Sequence, residues 1–208
     1  MATAQTIITQ AQYVLVDTGT RWTPAELLEW VNAGVRAIAE HRPDATNLVA
    51  TLTLVAGTKQ SLPTGGLALL DVMRNVGGRA IRQTSMGMLD AVAPDWHTAT
   101  AAATENYCYD PRTPRVFWVY PPAVADAQVE AKYQAAPSAM TATTDTVPLN
   151  DMYLNALLDY TLYRAFTKDA EFNATADRAK MHLAAFEQAT GAKIQADAAV
   201  APQPTVDV

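Results

Sequence analysis

The feature that most constrains this chain is a double change in the period of its apolar residues. Apolar side chains three and four apart share one face of a helix, whereas those two apart share one face of a strand. Over residues 3–17, Ile7, Ala11, Val14 and Leu15 keep the helical spacing. The Asp17-Thr18-Gly19-Thr20 stretch then predicts a turn. A second helix has clear start signals: Thr23 as N-cap, Pro24 at the first helical position and Glu26 three residues after the cap. Leu27, Leu28, Val31, Val35 and Ile38 form its apolar stripe, and His41-Arg42-Pro43 stops it.

From Asp44 the period becomes two. Leu48, Ala50, Leu52 and Leu54 alternate with Val49, Thr51, Thr53 and Val55. Gly57-Thr58 is expected to turn this strand back into residues 59–63, and Thr64-Gly65-Gly66 makes another break. A strand over 67–76 should be joined through Gly77-Gly78 to one over 79–84 as a two-residue hairpin. Residues 85–91 predict a short helix and 94–106 a loop. Strands are expected over 115–120 and 128–135, with Pro111 and Pro114 before the first, Pro121-Pro122 between the two and Pro137 after the second.

The helical period returns near Leu149. Asn150 or Asp151 caps a helix carrying Leu154, Leu157, Leu158, Thr161, Leu162 and Ala165, and Tyr153, Tyr160 and Tyr163 widen its apolar face. Asn173 opens a last helix with Ala176, Ala179, Leu183 and Phe186 on one face, closed by Gly191. No helix pair could bury both its stripes alone. The expected fold is therefore α+β: a four-helix core bundle from residues 1–43 and 149–191, a β-rich insertion at 44–148, and a flexible C-terminal tail at 192–208.

Composition limits what such a fold can do. The formal net charge of −6 removes any global attraction for nucleic acid or anionic lipid. The single cysteine, Cys108, excludes an intrachain disulfide and reads as a small residue in or near a strand. No stretch approaches the roughly 18 apolar residues of a membrane span, and no signal peptide is expected. His41, His97 and His182 are scattered, outside any H-E-x-x-H motif. The glycine pairs do not form a phosphate loop, and no serine sits in a G-x-S-x-G elbow. Asp90 and Asp95, flanking Pro94, suit turn and cap roles better than an acid–base pair. Asn173-Ala174-Thr175 matches a glycosylation pattern that has no meaning without secretion. No catalytic, cofactor-binding or metal-ligating residue is assigned, and the chain reads as a non-enzyme.

Two features stand out as candidate interfaces. Residues 107–122 carry aromatic side chains on both faces of a strand, which suits a buried central strand or an interface strand equally. Arg112, Arg115, Trp118 and Tyr120 are its candidate contact residues. Trp96, in the Pro94-Asp95-Trp96-His97 loop, is either the anchor of a satellite core or a docking residue. Pro202 and Val206 in the tail complete the set, since a disordered segment can fold on a partner.

In order and spacing these segments resemble the tailed-phage head-to-tail connector or adaptor proteins, including the tail tubular protein A type. The resemblance is carried by the stretches 11–17 and 22–32, the Ala56-Gly57-Thr58-Lys59-Gln60-Ser61-Leu62-Pro63 segment, the Leu89-Asp90 and Pro94-Asp95-Trp96 pairs, the 110–122 strand, and the stretches 153–160 and 163–166. It implies a structural virion protein at the head-tail junction, assembled in the host cytoplasm. Such a protein forms a homo-oligomeric ring, commonly dodecameric, beneath the portal protein. A downstream tail or nozzle protein docks below, and double-stranded DNA passes through the lumen without specific binding. No membrane partner and no cofactor are implied. The alternatives are another tail-completion or tail-tube virion protein and a small cell-wall-active enzyme; the flanking helix pairs argue against the first and the missing nucleophile against the second.

Overall fold

The computed structural model describes residues 1–99, 103–169 and 173–200, with the backbone alone over 192–200. Among these residues the fold is α+β, with five α-helices and two β-sheets. The helices are α1 (Ala4–Leu15), α2 (Pro24–His41), α3 (Met86–Val92), α4 (Leu154–Lys168) and α5 (Asn173–Val200). The chain divides into two compact units, Met1–Ala45 with Pro137–Val208, and Thr46–Ala136. No helix among the described residues is long and apolar enough to cross a membrane.

The first unit is helical. Its α2 starts as its residues dictate: Thr23 Oγ1 accepts from Glu26 N at 3.3 Å, and Pro24 occupies the first turn. The helix ends where Arg42 N donates to Ile38 O and Pro43 follows. The buried Arg42 guanidinium forks onto Asp44, with Nε and Nη2 at 2.8 and 2.6 Å from its two oxygens. Ile7 and Ile8 of α1, Leu27, Val31, Val35 and Ile38 of α2, Ala156 and Leu157 of α4, and Phe186 of α5 share one buried cluster. Burying a side chain such as Leu157 contributes about 1.5–3 kcal/mol, so these stripes hold the unit together.

Residues 137–148 have no period, and the sequence groups them with the insertion. Met140 and Val147 nevertheless lie in the helical core. Their backbone is tied instead of periodic: Asn32 exchanges two hydrogen bonds with Met140, at 2.8 and 2.9 Å, and Asp145 O accepts from Ala4 N. The last helix also differs from expectation. Gly191 does not close it, and α5 runs to Val200, so the tail expected from 192 begins as helix. A mid-helix glycine costs only about 1 kcal/mol against alanine, and the alanine-rich sequence after it favours continuation.

Among its described residues the second unit has seven strands: β1 (Asn47–Thr53), β2 (Gly57–Ser61), β3 (Gly66–Asn75), β4 (Arg82–Gln83), β5 (Asn106–Tyr109), β6 (Val116–Ala123) and β7 (Gln128–Ala135). They form a sheet of order β1-β7-β3 and a sheet of order β2-β6-β5-β4. Leu52, Leu69, Val72, Phe117, Val119, Val129 and Tyr133 meet in their shared core. The expected hairpin after Gly57 is absent, because β1 pairs with β7 and β2 with β6. The chain turns a corner between sheets there, and the buried Gln60 side chain clips it. Its Nε2 donates to Val55 O and Gly57 O, and its Oε1 accepts from Val55 N. The turn at Gly77 does form, with φ +72 at the glycine, but Asn75 N pairs with Arg79 O, so three residues rather than two lie between them. Its return arm bonds β3 only as far as Ile81 N to Met73 O, then crosses into the other sheet as β4. The strand expected to end at Tyr120 runs through Pro121-Pro122 to Ala123. Its pairing with β5 stops at Tyr120, so no ladder bond is lost there to the missing proline N–H groups.

Candidate interface

The three histidines each have a side-chain partner, and the one cysteine is buried. Within the described residues no three His, Cys, Asp or Glu side chains gather as a metal site. His41 Nδ1 lies 3.3 Å from Thr190 Oγ1, His97 Nδ1 lies 2.9 Å from Thr58 Oγ1, and His182 Nδ1 lies 2.9 Å from Asp159 Oδ1. Cys108 is buried on β5. Burial pushes its thiol pKa up, the Asp90 charge pushes it further, and the thiolate a nucleophile needs is thereby disfavoured.

The aromatic strand resolves as a central one, since β6 is paired on both sides. Phe117 and Val119 face the core between the sheets. Trp118 and Tyr120 face the other way, half-buried against a satellite cluster of Leu89, Trp96 and Cys108. Trp96 lies in that satellite cluster and is 1% exposed. Its Nε1 donates to Asp90 Oδ1 at 2.9 Å, and its ring stacks on His97 at 3.7 Å. Arg112 and Arg115 stay exposed in the turn between β5 and β6, where Asp110 Oδ1 accepts from Arg112 N. The structure thus gathers Trp96, Trp118 and Tyr120 under one cover and leaves the two arginines at the surface. Pro202 and Val206 lie outside the described residues.

Exposed apolar groups lie elsewhere. On β3, three register irregularities against β7 interrupt the ladder, at 66–68, 69–71 and 72–74. They leave Leu67, Leu70 and Met73 outward while Leu69 and Val72 remain buried. Alternation cannot reveal this, because each bulge resets the period. At the end of α1, Tyr13 is 78% and Val16 91% exposed. Val16 sits at φ +52, ψ +43, the left-handed position that closes a helix, with Val16 N on Tyr13 O and Asp17 N on Gln12 O. Glycine is usual there, and a β-branched residue is strained. Asp17 anchors the following loop by accepting from the backbone N–H groups of Gly19, Thr20, Arg21 and Trp22 at 3.0–3.3 Å. Desolvation raises its pKa, but those four bonds outweigh it and hold the carboxyl below its ordinary 3.8.

Charge is divided unequally between the two units. The stretch Thr46–Ala136 has seven Lys or Arg and seven Asp or Glu, a net of zero; the other unit has eight against fourteen, which is the whole −6.

The sequence matches the family described as SU10 adaptor protein over residues 2–206. No curated protein matches it. Among solved structures, it is similar to a chain in the neck of an empty GTA particle computed with C6 symmetry. The identity is 16%, over 79% of this chain and 81% of that one, with a TM-score of 0.27.

Proposed function

The chain belongs to the SU10 adaptor protein family, and on that premise we propose that it is a structural virion protein forming an adaptor ring between portal and tail. The observation that carries this reading is the family match, which spans nearly the whole chain. In this proposal α1, α2, α4 and α5 pack as a four-helix bundle that forms the ring body. The second unit serves as the β-rich insertion, contacting neighbours and the next tail component. The ring is a homo-oligomer, a dodecamer in the simplest version, seated on the portal protein. It works at the head-tail junction of the virion after assembly in the host cytoplasm, and no catalysis is involved.

The charge division supports the assignment of the ring body to the channel. A lumen lined by the unit that carries the −6 repels a polyanion uniformly, so DNA passes without sticking. A neutral second unit has no like-charge barrier to meeting protein partners. Electron microscopy of the purified protein, alone and mixed with portal, tests the proposal. Rings, or decoration of portal rings, are expected. A protein that stays monomeric and ignores the portal overturns it.

A further inference from the structure

The end of α1 is unlike the rest of the helical unit, and three independent observations converge on it. The first is charge. Residues 1–16 carry no charged side chain, whereas α2, α4 and α5 each carry several. The second is exposure. Tyr13 and Val16 are among the most exposed large apolar residues described, and they flank a concavity of about 450 Å³ lined also by Thr9, Gln12, Asp17 and Thr18. The one carboxylate in that lining, Asp17, is turned onto backbone N–H groups. The third is strain. Val16 holds a left-handed backbone that glycine would hold freely, and its side chain contributes little to the core, being 91% exposed.

We propose that this face, Tyr13, Val16 and the concavity between them, is where a second copy of this chain docks. The inference rests on the ring reading and names its contact. Identical subunits whose helical units each carry −6 repel wherever charged surfaces approach, so a contact made through this unit is favoured where charge is least, and the only charged side chain lining this face, Asp17, is turned onto backbone N–H groups. An exposed aromatic and an exposed valine beside a concavity provide the apolar centre such a contact needs, with the Thr and Gln side chains of α1 as a neutral polar rim. A partner of opposite charge would instead be met by an acidic face, which this is not.

The test uses the full chain, with light scattering after size-exclusion chromatography over a range of concentrations and a thermal melt of each variant. The parent assembles. Tyr13→Glu with Val16→Asp is expected to raise the concentration for half-assembly roughly tenfold or more. Val16→Gly is the sharper variant, because relief of the left-handed strain should keep or raise the melting temperature while assembly weakens. Met181→Glu, which charges an exposed residue of α5, should assemble like the parent. Assembly of Val16→Gly at the parent's concentration overturns the proposal, as does normal assembly of either α1 variant with loss of portal binding alone, which would give this face to the portal. A parent that never oligomerises, alone or on the portal, defeats the ring reading itself and is distinguishable from both.

Discussion

Gly34 shows how much one residue can decide. It lies inside α2, where glycine costs about 1 kcal/mol against alanine, so a helix prefers to lack it. A Cβ there would stand 2.6 Å from Leu157 Cδ1 and 3.0 Å from Tyr160 Cδ1 of α4. The absent side chain is what lets the two helices approach. Gly34→Ala is therefore expected to destabilise the protein despite its better propensity, by about 1–3 kcal/mol of overpacking less the roughly 1 kcal/mol gained. A urea midpoint equal to or above the parent's would show that α4 yields freely. The complementary change, Leu157→Ala, empties a fully buried site and should cost about 2–5 kcal/mol by the same measurement. Asp17 gives a prediction in pH. Its folded pKa is depressed, so its contribution is present above the unfolded value near 3.8 and is lost as pH falls through the lower folded value. Asp17→Asn should be less stable than the parent at pH 7, and the gap should close as pH falls through the lowered folded value. A gap that is constant from pH 7 to pH 2.5 would mean that the backbone bonds do not depend on the charge.

At the scale of elements, what was legible in the sequence is what local chemistry controls. The Thr23-Pro24-x-Glu26 start of α2, the Ser85-led helix α3 and the apolar stripes of α1 and α4 follow from side chains within a few positions of each other. Strand partners do not. Gly57 promises a hairpin, yet β1 pairs with β7 and β2 with β6, both more than fifty residues further along the chain. The four-residue β5 is too short to carry a period, and the burial of Trp96 depends on Asp90 and His97, which no local pattern in the sequence pairs with it. The αL valine after α1 is not legible in the sequence, because its only signal there is the lack of a glycine where one would be expected. Gln60 is the clearest case of a functional side chain hidden in a strand. It holds the corner that separates the two sheets through three hydrogen bonds to Val55 and Gly57. Gln60→Leu keeps the volume but leaves the Val55 backbone groups without their partner, at an expected cost of about 1–3 kcal/mol. The denaturation slope should be unchanged, since the surface exposed on unfolding is nearly the same. A neutral result would place the corner's stability in β1 and β2 pairing alone.

At the scale of the whole molecule, the division of charge makes a demand that fold alone does not. Under the proposed ring reading, the surface that meets DNA must neither grip it nor stop it, and the helical unit, which carries the whole −6, is the part of this chain suited to that. Glu29, Glu40 and Glu187 are exposed on that unit. Replacing all three with lysine moves the formal charge from −6 to zero. Exposed substitutions of this kind cost about 0.5 kcal/mol or less each, so the variant should fold and, if its contacts lie elsewhere, assemble. Added cations release counterions from DNA, which gives affinity that falls linearly with the logarithm of salt. The variant should therefore bind duplex DNA more tightly than the parent, in a salt-sensitive way. Particles built with it should release their DNA more slowly at low ionic strength and approach the parent's rate at high salt. Release at the parent's rate under every salt condition, from particles shown to contain the variant, would mean that these helices do not face the DNA. The acidic balance would then serve solubility rather than the channel.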